Sequence, residues 1–349
     1  MGNKTIKKEL SEIFSNKPNY KIIKKIEDES IAGSENYNCI CVFKSIEDIY
    51  YLIYTTKDNS IISYNIITNQ IINKIKNVDN NALGIFDHCL DKINHRDLLL
   101  SLFIGSKIIK IWNIKNFECI LKLQNFNFNQ CNDSCFLNIP EQIYIITTAD
   151  NYKFFQNQDK IKIYDLEGNL IKEINESNKD VTFCVITYYD KKSGINYIVT
   201  GNECVVKAYN YEQNKKYKKY IIYDKHICIK SLLIYDKEKI TELIGSCSDE
   251  KIRIWNFHTG KFLHKIKIFE DYIGFFERQI NFLDFENDQN IFLGCSNKAI
   301  YFLNLKYGII IDRLCIHKGE VSFVKKFKTE KYGDILISKG GSIIIWKIC

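Results

Sequence analysis

LIGSCSDEKIRIWNFHTGKFLHKI, residues 243–266, decides the fold. ITELIGSC (240–247) is β-branched and apolar, and it stops at Ser248, Asp249 and Glu250. KIRIWNF (251–257) follows and stops at His258, Thr259 and Gly260, and KFLHKIKI (261–268) comes next. Upstream, ICIKSLLIY (227–235) ends at Asp236 and Lys237. Strand formers separated by short polar turns join as antiparallel neighbours, so the stretch predicts one four-stranded unit.

The third strand of that unit recurs. SIISYNI (60–66), KIIKIWNI (107–114), DKIKIYDL (159–166), CVVKAYNY (204–211), EKIRIWNF (250–257), KAIYFLNL (298–305) and GSIIIWKI (341–348) align without gaps. Each carries an anchor near its end: Tyr64, Trp112, Tyr164, Tyr209, Trp255, Leu303 and Trp346, spaced by 48, 52, 45, 46, 48 and 43 residues. Ile or Val stands three residues before every anchor, and an apolar residue stands two after it. The residue directly after is Asn65, Asn113, Asp165, Asn210, Asn256, Asn304 and finally Lys347. Apolar residues on both parities require a strand packed on both faces. A period of ~40–50 residues with several strands per unit signals a propeller or a related array.

Residues 243–266 resemble the WD40 repeat, and HKGEVSFV (317–324) is similar to that family's His-x-x-x-Val-x-x-Val opening of a blade. The resemblance spans residues 37–349 and is strongest in blades two, five and seven. The family's Trp-Asp pair never occurs intact: Trp-Asn stands in blades two and five, and Trp-Lys in blade seven. The family's buried His–Ser–Asp–Trp network is matched in blade five by Asp249 and Trp255. Cys247 stands at its serine position there, and His226 is the candidate histidine. His317 matches the blade-opening histidine of blade seven. The resemblance implies an all-β, seven-bladed β-propeller of four-stranded antiparallel blades, acting as a non-catalytic interaction platform. The family's Trp-Asp-x-Arg and Phe-Arg-Arg-Gly signatures are absent, so the ubiquitin-ligase adaptor and phosphoinositide roles they mark are not implied.

The chain ends at Cys349, directly after a third strand, while NYKIIKKIED (19–28) is strand-like and unpaired. Pairing the two would close the last blade and hide both edges, as antiparallel folds require. The expected organisation is a tail over 1–18, a closing strand over about 19–28, and one propeller to 349. Its blades fall at about 37–77, 82–124, 134–176, 180–223, 226–268, 278–315 and 320–349. In the tail, Ile6, Leu10, Ile13 and Phe14 recur at helical spacing, so it reads as a short helix or a solvated tail.

Composition sets the bounds on function. The 349 residues are 46% hydrophobic and 26% charged, an ordinary globular balance. The net charge is +7, but only four residues are arginine, so the excess is scattered lysine and weak evidence for a nucleic-acid partner. No stretch is long and apolar enough for a membrane helix, and the N-terminus lacks a secretory h-region. MGNKTI (1–6) begins as an N-myristoylation signal does but places Ile6 where the motif wants Ser or Thr, so no lipid anchor is expected. Thirteen cysteines lie in apolar runs and read as buried thiols in a reducing, cytoplasmic or nuclear, compartment.

No phosphate loop, dinucleotide fingerprint, zinc-protease pair or nucleophile elbow is present, and no cofactor, metal site or enzyme activity is expected. With blade faces consumed in packing, function falls to loops and rims, and the expected partners are proteins. Tyr152, Phe154 and Phe155 in DNYKFFQNQD (150–159) are the candidate partner-binding residues, and NFNFNQCND (125–133) is a second candidate loop. The alternative is an RNA-associated propeller subunit, using KKYKKY (215–220) and KKFK (325–328).

Overall fold

The computed structural model describes residues 11–15, 18–27, 40–76, 83–103, 108–123, 130–140, 142–150, 160–175, 182–224, 227–237, 239–249, 251–268, 280–285, 290–295 and 298–349. The fold is all-β, a propeller of seven four-stranded antiparallel blades. In blade one, Ile40–Lys44, Tyr50–Thr55, Ile61–Asn65 and Gln70–Ile75 pair in sequence order, and blades two to six repeat the pattern. Blade seven differs. Phe323–Thr329, Gly333–Lys339 and Ile343–Ile348 supply three strands, and Tyr20–Ile26 is the fourth. The expected closure is therefore made, with Tyr20 opposite Ile348 and Ile26 opposite Ile343.

The chain divides into two compact units. Ser30–Lys265 carries blades one to five, and Met1–Glu29 with Ile266–Cys349 carries blades six and seven. In the first unit, one core joins blades one and two through Phe43, Leu99 and Trp112. A second joins two and three through Leu100, Phe136 and Ile145, and a third joins three and four through Ile146, Ile198 and Tyr209. Blades four and five share Tyr197, Tyr220, Trp255 and Phe257. In the second unit, Phe292, Phe302, Leu336 and Trp346 join blades six and seven, and Ile13 of the helical residues 11–15 packs on them. The two-sided burial read from the anchor strands is thus accounted for in blades two, three and four, which share a core with the blade on either side.

The asparagine after the anchor also has a local cause. Its side-chain oxygen accepts a backbone N–H two or three residues on and so caps the turn into the fourth strand. Asn65 takes Ile67, Asn113 takes Lys115, Asp165 takes Glu167, Asn210 takes Gln213, Asn256 takes Thr259 and Asn304 takes Tyr307. Blade seven has no such turn, because its fourth strand comes from the N-terminal segment, and there the position is Lys347.

The fourth strands carry a feature that the sequence reading missed. In blades one, two, three, four, six and seven, pairing with the third strand slips at the anchor. One extra residue is left in each: Ile72, Ile120, Ile171, Tyr217, Ile311 and Ile23. Such bulges sharpen the local twist of an edge strand.

Candidate interaction surface

Trp346 is 1% exposed, and its Nε1 donates to Ser338 Oγ at 2.8 Å. Ser338 Oγ lies 2.8 Å from His317 Nε2, and His317 Nδ1 lies 3.2 Å from the Gly340 carbonyl. A carbonyl only accepts, so Nδ1 carries the proton and Nε2 accepts from the Ser338 hydroxyl. A Cβ on Gly340 would lie 2.7 Å from the imidazole Cγ, so glycine is what lets the ring sit there. In blade two, Trp112 Nε1 donates to Ser101 Oγ at 2.8 Å.

Strand register corrects the assignment in blade five. Ser338 and Ser101 each stand two residues beyond the residue facing the tryptophan, Leu336 and Leu99. In blade five Leu243 faces Trp255, so the equivalent position is Gly245, not Cys247. Gly245 has no hydroxyl to offer. A Cβ there would lie 3.2 Å from Trp255 Cζ3, so the six-membered ring edge occupies the space. Trp255 Nε1 has no hydrogen-bond partner among the described residues. Asp249 is bound by the Arg253 fork at 2.7 and 2.8 Å, and Arg253 also reaches Asp224 at 2.7 Å. Burial opposes its ionisation, but hydrogen bonds and charge from Arg253 and Lys251 hold the carboxyl below its usual range. The candidate histidine His226 lies outside the described residues. Tyr64 and Tyr209 are buried anchors, and Tyr164 is half-buried. All these side chains hold blades together and meet at no common site.

Carboxylates on first strands link successive blades. Asp87 Oδ2 accepts Phe136 N–H at 2.8 Å, Asp133 Oδ2 accepts Val185 N–H at 2.7 Å, and Asp284 Oδ2 accepts Lys326 N–H at 2.7 Å. Burial pushes the Asp133 carboxyl up to about 7 against two backbone hydrogen bonds, and the Asp87 charge adds to the rise. Burial also drives the Cys135 thiol well above its usual range. Cys135 is therefore a protonated core side chain. Five of the described cysteines are buried, while Cys119, Cys315 and Cys349 are exposed. Among the described residues, no group of three or more His, Cys, Asp and Glu is placed to hold a metal ion. None of their helices is long and apolar enough to cross a membrane.

His317 has a pH consequence. Burial brings its imidazole down to about 4; the Gly340 carbonyl opposes this and Lys25 adds to it. That lies below the unfolded value of about 6.5, so the stability it carries is complete above 6.5 and is lost as pH falls through 4. Asp133 has the opposite sign: its raised value favours folding in acid, and that contribution is lost as pH rises through about 7. The stability difference between wild type and His317→Gln is therefore expected to shrink by about 2 kcal/mol between pH 7 and 5. Urea unfolding at both values measures it, and a constant difference would show that His317 ionises freely.

The candidate residues Tyr152, Phe154 and Phe155 lie outside the described residues, as do residues 125–129 of the second loop. In KKYKKY, the tyrosines turn inward. Tyr220 is buried with its hydroxyl on the Phe257 carbonyl at 2.6 Å, and Tyr217 packs against Tyr197 and Phe257. Lys215, Lys216 and Lys219 point to solvent. In KKFK, Lys326 is held by Asp334 at 3.1 Å.

A different surface emerges in the first unit. The turn between first and second strands, or the strand end leading into it, presents an exposed apolar side chain in four blades. These are Ile46, Ile93, Tyr189 and Ile240, at 38, 62, 51 and 37% exposure. Backbone direction places these turns at the same end of their blades as the asparagine-capped turns. The sequence signal was an isoleucine inside a polar turn, as in SIED (45–48) and DKINHRD (91–97). Compared with known proteins, the chain matches no family model and no curated protein.

Proposed function

We propose that this chain is a non-catalytic protein-interaction scaffold of the WD40 type. The observation that carries the reading is the set of exposed apolar turns, Ile46, Ile93, Tyr189 and Ile240, on blades that share packed cores with their neighbours in the first unit. A large side chain left exposed at a turn that polar residues normally fill fits a partner that covers it. The WD40 assignment is supported by the His317–Ser338–Trp346 network and by the Trp112–Ser101 bond. The described cysteines are free thiols, which suits a cytoplasmic or nuclear setting.

The test is affinity capture with the tagged full chain, with and without RNase, beside a variant carrying Ile46→Asp, Ile93→Asp, Tyr189→Asp and Ile240→Asp. The expected result is a stable set of proteins that resists RNase and is lost from the variant. Capture that vanishes with RNase favours the RNA-associated subunit, for which the solvent-facing Lys215, Lys216 and Lys219 speak. Capture that the variant retains would overturn this surface.

A further inference from the structure

At blades four and five, the exposed apolar side chains lie among exposed lysines. The two blades meet closely at this end. Tyr188 Oη donates to Asp236 Oδ1 at 2.6 Å, and Tyr217 Oη lies 3.3 Å from His258 Nδ1. The Lys218 stem runs over Gly260, where an added Cβ would come within 2.9 Å of it. The turns that hold Lys191, Lys215 and Lys216 of blade four are thus neighbours of those that hold Lys239 and Lys261 of blade five.

All five lysines are exposed, and none makes an ion pair or a side-chain hydrogen bond among the described residues. The described carboxylates at the same end keep their charge within hydrogen bonds, but the lysines outnumber them. Asp190 takes Lys192 N–H and the Ser193 hydroxyl, and Glu212 holds Asn196. Asp236 takes Tyr188 and Thr241, and Glu242 pairs with Lys237 at 2.7 Å. A positive surface surrounds two apolar side chains, Tyr189 and Ile240.

We infer that this end of blades four and five receives an acidic, amphipathic segment of a partner protein. The inference rests on the scaffold reading and adds the chemistry of the partner. Aliphatic or aromatic residues of the segment seat on Tyr189 and Ile240, and its carboxylates face the five lysines. Burial of the apolar pair supplies affinity, and the lysine field supplies encounter rate and selection. A nucleic acid fits less well: no arginine fork is free here, because Arg253 is committed to Asp249 and Asp224. Both tyrosines of KKYKKY, Tyr217 and Tyr220, pack into the core of these blades.

The test uses the full chain and a fluorescent peptide of alternating Glu and Asp interrupted by two leucines. Oligoglutamate and oligouridylate of the same length serve as comparison probes, all at physiological salt. The expected result is peptide binding at least about tenfold tighter than either comparison probe. Lys191→Glu with Lys239→Glu, and separately Tyr189→Ser with Ile240→Ser, are expected to weaken it by about tenfold or more, with thermal unfolding unchanged. Binding that ignores both double variants, the absence of binding up to about 1 mM, or tighter oligouridylate would each overturn the inference. RNase-resistant capture by the wild-type chain alongside any of these would leave the scaffold reading standing.

Discussion

Removal of residues 1–27 is expected to destabilise the second unit by more than about 4 kcal/mol. The segment supplies the outermost strand of blade seven, with Asn19 and Cys349 also exchanging backbone hydrogen bonds at 3.3 and 2.8 Å. Tyr20 stacks edge-on against Phe292 and Phe302 of blade six, so the strand covers core as well as pairing an edge. Its loss opens the backbone groups of Ile343–Ile348 and uncovers the cluster that holds Trp346. Thermal unfolding is expected to show a midpoint lower by more than about 5 °C. An unchanged midpoint would mean that the strand merely rests on the blade.

The second large effect is expected from Ser338→Ala, at about 3 kcal/mol. Ser338 accepts from Trp346 and donates to His317, so its hydroxyl satisfies two buried groups at once. Alanine strands both of them in a place too enclosed for solvent. Ser101→Ala strands one, Trp112 Nε1, and is expected to cost about half as much. Ser246→Ala is the contrast: its buried hydroxyl has no partner among the described residues, so its removal is expected to cost less than about 0.5 kcal/mol. Chemical denaturation of the three variants measures the ranking. Equal losses would show that cavity formation, rather than hydrogen bonding, sets the effect.

Period and pairing were legible because they repeat. Seven anchor strands with Ile or Val three places earlier gave the blades, and an unpaired N-terminal strand gave the closure. The serine position of blade five was misplaced because the turn between the second and third strands varies in length from blade to blade. The turn there is two residues longer than in blade seven, with Leu243 facing Trp255 but Leu336 facing Trp346. The tyrosines of KKYKKY looked like an exposed face because lysines flank them, but the bulge at Tyr217 re-aims the strand and carries Tyr217 and Tyr220 inward. The inter-blade carboxylates were invisible because each joins residues 42 to 52 apart, and no local pattern marks that contact.

The bulged fourth strands bear on what happens when assembly goes wrong. A chain with sixty-one isoleucines, and twenty-eight strands among its described residues, has ample material for cross-β stacking. Stacking needs a flat edge with regular spacing of N–H and C=O groups. An extra Ile or Tyr beside each anchor breaks that spacing in six blades, so a stray strand finds no continuous ladder to extend. What an incomplete chain does expose is the apolar face of a blade whose neighbour has not yet folded. Its aggregates should therefore be amorphous and face-to-face, dissolving when blades find their own neighbours, rather than fibrillar.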